Sequence, residues 1–363
     1  MRMAVPTDVA PEVGEELAAK HDRVRAILRQ RDADSVLLES QAAVAWMLGG
    51  ARVHVSLAAP PIVAVRVDAA SVTVFATSNE GHRLRAEEVP AGVEVAERAW
   101  FEAAPTDAAL RESAVDAELR AARRVLLPVE HGRYRELGAD AAAALGDVLR
   151  AAGPDDTERA IAARLAARLI ELGADPVVLL VAGEARLAER HPLPTDAALG
   201  RRAMAVVCAR RHGLIANVTR WVGFGGASEA ELDAERRILE VEADGFEALR
   251  RRVGLADVLG TITASYPAHG FADDEWERHH QGGAAGYNGR DPRLAPGVDE
   301  PIELGQAFAL NPSAPGVKVE DTVLLLPDAA GDAALEVLTR DPAWPTIAVR
   351  GVERPVTLEL PAR

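Results

Sequence analysis

Two apolar runs near the middle of the chain constrain its fold more than any other feature. The first, AMAVVCARR, spans residues 203–211, and the second, GLIANVTRWVGF, spans residues 213–224, so that a single residue separates them. Both runs are rich in strand-forming residues, and strands joined by so short a turn pair in the antiparallel sense. The pattern therefore predicts an antiparallel sheet in this part of the chain.

Further strand-like and helical patterns surround these two runs. PVVLLVA precedes them, QAFALNP and EDTVLLL follow them, and long helical patterns fill residues 229–269. An earlier apolar stripe, Ile161, Leu165 and Leu169, predicts an amphipathic helix with Asp155 and Glu158 as its capping pair. Helices segregated to one side of an antiparallel sheet make an α+β domain, which we place at residues 127–363.

The first third of the chain shows a different pattern. Strand-like runs such as SVLLES and SVTVFATS alternate with helical patterns, one of which covers residues 107–125. This alternation predicts an α/β domain over residues 1–126, and the first ~20 residues, which are polar and rich in proline, are expected to form a loose arm. A chain of 363 residues is also too long for one ordinary core.

Composition restricts the partners and the compartment. With 41 Lys and Arg against 56 Asp and Glu, the net charge of −15 repels phosphate backbones and anionic lipid, so we expect neither a nucleic-acid nor a membrane partner. The N-terminal segment has no secretory pattern. The single cysteine, Cys208, lies in an apolar run and is predicted to be a buried structural thiol, so a cytoplasmic location is expected.

Polar residues gather in four stretches that otherwise resemble strands or strand edges: RHPLPTD, IANVTRW, HHQGGAAGYNGRD and NPSAPGVKVED. Each alone is typical of a solvated sheet face or a turn, but an antiparallel sheet can bring all four to one pocket. His191 precedes two prolines and titrates near neutral pH, which suits a general acid or base, with a surface-loop histidine as the alternative. His279 and His280 are adjacent, so on a strand they would point to opposite faces and at most one would join a site.

The same stretches contain few metal-binding side chains. A divalent ion needs clustered Asp, Glu or His ligands, whereas the acidic residues here are Asp291, Glu320 and Asp321. Asn217 and Asn311 are neutral amides and replace carboxylates poorly. Composition therefore predicts that a site for two metal ions is absent.

Three phrases carry a resemblance to a known family. GLIANVTRWVGFG, HHQGGAAGYNGRD and NPSAPGVKVEDTVLL follow the order and spacing of motifs in the pita-bread superfamily, peptidase family M24, which includes methionine aminopeptidase, prolidase, Xaa-Pro aminopeptidase and creatinase. Residues from about 20 to 126 resemble the creatinase-type N-terminal domain, and the remainder resembles the pita-bread catalytic domain. The resemblance implies a curved antiparallel sheet flanked by helices, and commonly a homodimer.

The resemblance also locates the family's metal ligands, which are two Asp, one His and two Glu. They fall on Val206, Asn217, Gly283, Asn311 and Glu320, of which only Glu320 keeps the family's residue. This branch of the superfamily therefore lacks most of the metal ligands, and we expect no cofactor. Creatinase, in the same superfamily, hydrolyses a C–N bond without metal through a histidine in a His-Asn-Pro-Val-Thr phrase. HPLPT resembles that phrase, which places His191 in the acid/base role.

We therefore expect a metal-independent, creatinase-like hydrolase that acts on an amide or amidine C–N bond of a small, carboxylate-bearing substrate. The expected catalytic residues are His191, Glu320 and His280. The expected substrate-binding residues are Asn217, Arg220, Tyr287, Arg290, Asn311 and Lys318. Three alternatives remain: a non-catalytic binding protein, a Xaa-Pro aminopeptidase-like enzyme with a degenerate site holding one weakly bound ion, and a lyase or isomerase using the same acid/base.

Overall fold

The computed structural model describes residues 10–361 of the chain. Within them the chain divides into two compact units. The first extends to Glu130 and includes His212–Leu214, and the second comprises His131–Arg211 and the chain from Ile215 onward. Among the described residues, no helix combines the length and the apolar character needed to cross a bilayer.

The first unit is an α/β domain with a five-stranded sheet. Its strands are β1 (Ser35–Leu38), β2 (Ala64–Asp68), β3 (Val72–Thr77), β4 (Glu94–Arg98) and β5 (Leu110–Arg111). Its helices are α1 (Ala10–Gln30), α2 (Gln41–Met47), α3 (Gly81–Arg83), which continues as a π-helix over Leu84–Glu88, and α4 (Asp116–Arg124). The strand order is β4-β3-β2-β1-β5, antiparallel in the centre and parallel at both edges.

Two predictions for this unit are wrong. The loose arm is instead helical from Ala10 onward, because α1 buries an apolar face that includes Val24 and Leu28; residues 1–9 lie outside the described residues. The long helix predicted over residues 107–125 is only α4, since Leu110 pairs with Val36 of β1 in β5. A 3₁₀ turn, whose Glu112 carboxylate accepts the Ser40 N–H at 2.8 Å, separates β5 from α4.

The second unit contains two four-stranded sheets and two short ribbons. Its strands are β6 (Asp175–Ala182), β7 (Arg202–Arg211), β8 (Leu214–Phe224), β9 (Gly282–Ala285), β10 (Gln306–Leu310), β11 (Ser313–Ala314), β12 (Val317–Lys318), β13 (Asp321–Pro327), β14 (Ala333–Val337), β15 (Thr346–Val349), β16 (Val352–Pro355) and β17 (Leu358–Leu360). The sheets have the orders β17-β8-β7-β6 and β14-β13-β10-β9, and the ribbons are β11-β12 and β15-β16. The pairing of β17 with β8 is parallel, whereas β6–β7 and the pairs of the second sheet are antiparallel.

The helices of this unit are α5 (Pro128–Arg150), which begins in the first unit, α6 (Glu158–Glu171), α7 (Glu229–Arg250) and α8 (Leu255–Ala268). Helix α7 begins with a capping box, in which Ser228 and Glu231 satisfy each other's backbone N–H groups. The predicted capping pair of α6 is wrong, because Thr157 is the N-cap and accepts the Ala160 N–H at 3.1 Å.

The main core lies between α7, α8 and the sheet that contains β10 and β13. Phe246 of α7, Ile262 of α8 and Phe308 of β10 belong to one buried apolar cluster. Helix α7 comes close to the sheet at Gly245, where a Cβ would meet Leu310 Cδ1 at 2.7 Å. This packing fixes β10 and β13, from whose ends the polar residues of the candidate site project.

A buried ionic network ties the same strands to α7. Arg354 of β16 donates to both carboxylate oxygens of Glu242 on α7, at 2.7 and 2.8 Å, and to Asp321 of β13 at 2.7 Å. Arg220 of β8 donates to the other oxygen of Asp321 at 2.9 Å. Because all four side chains are nearly inaccessible, each charge depends on its partners for compensation.

Candidate active site

The four polar stretches contribute to one region of the second unit. His191 lies in the loop before β7, and the His279–His280 pair lies between a 3₁₀ turn (Glu275–Arg278) and β9. Asn311 follows β10, and Glu320 stands immediately before β13. The two loops and the two strand ends bring these groups together because β9, β10 and β13 are neighbours in one sheet.

The three histidines form a cluster. The Nε2 atoms of His191 and His279 are 3.3 Å apart, and the ring centroids of His279 and His280 are 4.5 Å apart. The expectation that at most one of His279 and His280 joins a site is therefore wrong. The alternation rule does not apply to them, because the regular strand β9 begins only at Gly282.

Polar neighbours hold two of the rings. Ser313 Oγ lies 3.2 Å from His279 Nδ1 and accepts a hydrogen bond from Arg190 at 3.1 Å. Arg190 in turn forms an ion pair with Glu275. The Asn311 amide nitrogen lies 3.5 Å from His280 Nδ1, while the Asn311 Oδ1 atom is buried with no partner among the described residues. That oxygen is an acceptor available to a ligand.

The surroundings keep all three imidazoles neutral at pH 7. Burial, with the positive charge of Lys318, lowers the pKa of His279 to about 2. Burial, with Arg290 and Arg293, lowers the pKa of His280 to about 3. Partial burial and Lys318 also lower the pKa of His191, although the residue is exposed. Each ring therefore keeps one nitrogen lone pair that can accept a proton or bind a cation.

Glu320 is buried and already paired. Its Oε1 accepts from Arg290 at 2.8 Å, and its Oε2 accepts from Lys318 and Thr219, both at 2.9 Å. Burial alone would raise the pKa of this carboxyl, but Lys318 and Arg290 outweigh that effect and lower it to about 2. Glu320 consequently stays ionised and has no proton to donate at neutral pH.

One of the expected carboxylate-binding residues is bound inside the protein. Arg220 donates to Asp321, to the Thr219 carbonyl at 2.8 Å and to the Thr339 carbonyl at 2.6 Å. Its assignment to substrate is wrong, because the buried Asp321 carboxylate needs a cation in this position. Tyr287, another expected substrate-binding residue, is 3% exposed and is among the buried core residues.

Arg290 and Lys318 also have internal partners, yet each keeps at least one N–H donor that could bind a ligand. Arg290 Nε is buried with no partner among the described residues. A Lys ammonium carries three N–H donors, and Glu320 takes one of those of Lys318. Asn217 donates from Nδ2 to the Ile215 carbonyl at 3.3 Å, which leaves its side-chain oxygen as the group that could meet a ligand.

The five positions that the resemblance assigns to the family's metal ligands do not fit a pair of ions. Val206 is buried in an apolar cluster with Met204 and Trp221. At Gly283 a Cβ would meet the Pro292 carbonyl oxygen at 2.3 Å, and the backbone φ is +153°, so this position accommodates no side chain. Glu320, the one retained ligand, is bound by two cations.

Four residues of the site were missed by sequence reasoning: Arg190, Thr219, His279 and Ser313. Ser313 stands two positions after Asn311, and His279 stands beside His280, so both lie next to residues that were singled out. His279 was set aside by the strand alternation rule. Arg190 and Thr219 lie in the polar stretches RHPLPTD and IANVTRW, but no role was assigned to them, because their roles depend on partners far away in sequence.

Comparison with known proteins gives one family match and several structural matches. Residues 132–327 match the model of metallopeptidase family M24. The prolidase from Pyrococcus horikoshii OT3 is 16% identical, with a TM-score of 0.72 over 90% of this chain and 98% of that chain. The dipeptidase PepE from Mycobacterium ulcerans is 17% identical, with a TM-score of 0.73 over 98% of this chain and 100% of that chain. The X-Pro aminopeptidase from Thermotoga maritima MSB8 is 15% identical, with a TM-score of 0.72 over 94% of this chain and 100% of that chain.

No curated protein matches the chain. At identities of 15–17%, the structural matches show the fold alone. They confirm the predicted fold class, an α/β domain followed by an α+β pita-bread domain. The functional groups must therefore be judged from their own geometry.

Proposed function

This chain belongs to metallopeptidase family M24, and on that basis we propose that it hydrolyses a C–N bond of a small substrate without the family's pair of metal ions. One observation carries the proposal. At Val206 and Gly283, two positions that the resemblance assigns to metal ligands, the chain has no metal-binding side chain, while His191, His279 and His280 form a cluster. The chemistry left to the site is proton transfer by imidazole.

In the proposed reaction His191 acts first as a base. It is neutral at pH 7, because partial burial and Lys318 lower its pKa, and as an exposed residue it is accessible to an incoming substrate. It takes a proton from water as the water oxygen attacks the carbonyl carbon of an amide. When the tetrahedral intermediate breaks its C–N bond, His191 returns the proton to the departing nitrogen, giving a carboxylic acid and an amine.

The neighbouring groups position these partners. His279 lies 3.3 Å from the His191 Nε2 atom, so a hydrogen on one of the two nitrogens can orient both rings. The remaining donors of Arg290 and Lys318 are assigned to a substrate carboxylate, with Glu320 holding both cations in place. Asn217, His280 and Asn311 are assigned to hydrogen bonds with the reacting amide or amidine.

A panel of N-acyl and N-amidino amino acids, incubated with untagged protein dialysed against EDTA, tests the proposal. We expect turnover of at least one compound, and we expect His191→Ala to lower its kcat by on the order of 10²–10⁴-fold. The exposed residue Arg340 supplies a control, since Arg340→Ala lies outside the site and should leave kcat unchanged. Near-normal turnover by His191→Ala would remove His191 from the acid/base role.

A second candidate function, a non-catalytic binding protein, is favoured by one observation. Both oxygens of Glu320 already have cationic partners, so the retained ligand position is closed by internal ion pairs. If compounds of the panel bind to the wild-type protein at saturation and none is turned over, this candidate replaces the hydrolase.

A further inference from the structure

The three histidines of the site lie close enough to share one ion. Of the described residues, His191, His279 and His280 form a group in which one ring nitrogen from each lies within 4.8 Å of the others. The Nε2 atoms of His191 and His279 are 3.3 Å apart. Zinc binds imidazole nitrogens at about 2.0–2.1 Å in a tetrahedron, whose edge is then about 3.3–3.4 Å. Two of the nitrogens already have the separation that a shared ion requires.

Polar partners stand at the other nitrogen of both inner rings. A histidine that binds metal usually donates its second N–H to such a partner, which fixes the ring. Ser313 Oγ, 3.2 Å from His279 Nδ1, can accept that hydrogen. Asn311 can do so for His280 after a half-turn of its amide, which brings its unpartnered oxygen to Nδ1.

The third ring gives an ion access to the cluster. His191 is exposed, whereas His279 is 7% exposed. An ion can therefore enter from solvent at His191 and complete its coordination on the inner rings, with small movements of the side chains. The region needs no additional ligand from elsewhere in the chain, because three imidazoles and one exogenous ligand complete a tetrahedron.

The chemistry of the cluster selects the kind of ion. Imidazole suits zinc, cobalt, nickel and copper, whereas magnesium and calcium prefer oxygen ligands. We propose that His191, His279 and His280 together bind a single transition-metal ion, zinc being the type case. Because Lys318 and Arg290 leave the region with surplus positive charge, the fourth ligand is expected to be an anion such as hydroxide or a substrate carboxylate.

Metal binding at this place would affect the proposed reaction. An ion on His191 occupies the lone pair that the hydrolysis needs, so zinc should inhibit turnover. This consequence rests on the proposed function, whereas the binding site itself does not.

Calorimetric titration of untagged, EDTA-dialysed protein with zinc chloride tests the site directly. We expect saturation at one zinc ion per chain with a micromolar or lower Kd, and no saturable binding of magnesium. Cobalt(II) in place of zinc should give the intense visible absorption of tetrahedral coordination. Failure to saturate at one ion per chain, or equal binding of magnesium, overturns the proposal.

Variants identify the ligands. His191→Ala and His280→Ala should each weaken zinc binding by about 10-fold or more, and Ser313→Ala should do so by about 10-fold through the orientation of His279. His82→Ala, at an exposed position in the first unit, is the matched control and should bind zinc as the wild type does. Unchanged zinc affinity in both His191→Ala and His280→Ala overturns the assignment of the ligands. Because His191 is exposed, its variant is expected to disturb folding less than the His280 variant.

The effect of zinc on turnover separates the two proposals. Inhibition that follows the zinc-binding curve supports both the site and a metal-free reaction. Activation by zinc with the same dependence supports the site and overturns the metal-free reaction. Absence of zinc binding by the wild-type protein would overturn the proposed metal site, whether or not the protein turns over a substrate.

Discussion

Glu320 shows how the environment of one residue decides its chemistry. The resemblance assigns it to a metal-ligand position, yet Lys318, Arg290 and Thr219 all reach its carboxylate. Two cations supply the positive charge that compensates this buried carboxylate. The carboxylate thus organises the two cations, and it is unavailable as a proton donor.

The depressed pKa of Glu320 predicts a contribution to acid stability. Its pKa falls from 4.5 to about 2 on folding, so the stabilisation is complete above about pH 4.5 and is lost as the pH falls toward 2. The contribution is on the order of 3 kcal/mol. In Glu320→Gln, the free energy of unfolding, measured by urea denaturation, should fall less steeply between pH 5 and pH 3. Parallel curves for the two proteins would contradict this prediction.

Individual residues of the site could be found in the sequence only in part. Asn311, Glu320 and His280 were recognisable because motifs locate them. The internal pairing of Arg220 with Asp321 was not, because it depends on how β8 faces β13. The same dependence on tertiary neighbours explains why the prediction that only one of His279 and His280 joins the site was wrong.

At the scale of elements, α6 offers a comparison between the predicted and the observed cap. Thr157 accepts the Ala160 N–H, while the Glu158 carboxylate is buried and binds the Gly183 N–H at 2.9 Å and Thr195. Thr157→Ala should therefore lower the free energy of unfolding by about 1 kcal/mol. Asp155→Ala is the matched control, because Asp155 is exposed and lies before the cap. A larger loss in Asp155→Ala than in Thr157→Ala would restore the original assignment of the cap.

Elements were predictable where local pattern and tertiary packing agree. The runs around residues 203–224 became β7 and β8, and the stripe containing Ile161 and Leu165 became the buried face of α6. The prediction failed at Leu110–Arg111, which has a helical pattern but completes the edge of a sheet. A local sequence pattern cannot indicate pairing with a strand that is distant in sequence.

At the scale of the whole molecule, the second unit depends on its buried ionic network. Arg354 connects β16 to α7 through Glu242 and to β13 through Asp321. Replacing one partner of such a network leaves buried charges uncompensated. We expect Arg354→Met to lower the free energy of unfolding by on the order of 3–5 kcal/mol.

The exposed pair Arg340–Glu353 provides the contrast, since its side chains are 60% and 53% exposed. Arg340→Ala should change the free energy of unfolding by less than about 1 kcal/mol in the same denaturation experiment. Equal effects of the two substitutions would contradict a structural role for the network. The expected homodimer stays a prediction, which analytical ultracentrifugation of the protein can test.

The tight packing at Gly283 has a consequence for the engineering of this protein. A histidine placed there meets the backbone of the facing segment at Pro292 and Arg293 before any ion could be reached. Adding a metal-binding side chain at Gly283 by a single substitution is thus blocked sterically, and a designer would have to rebuild the facing segment first.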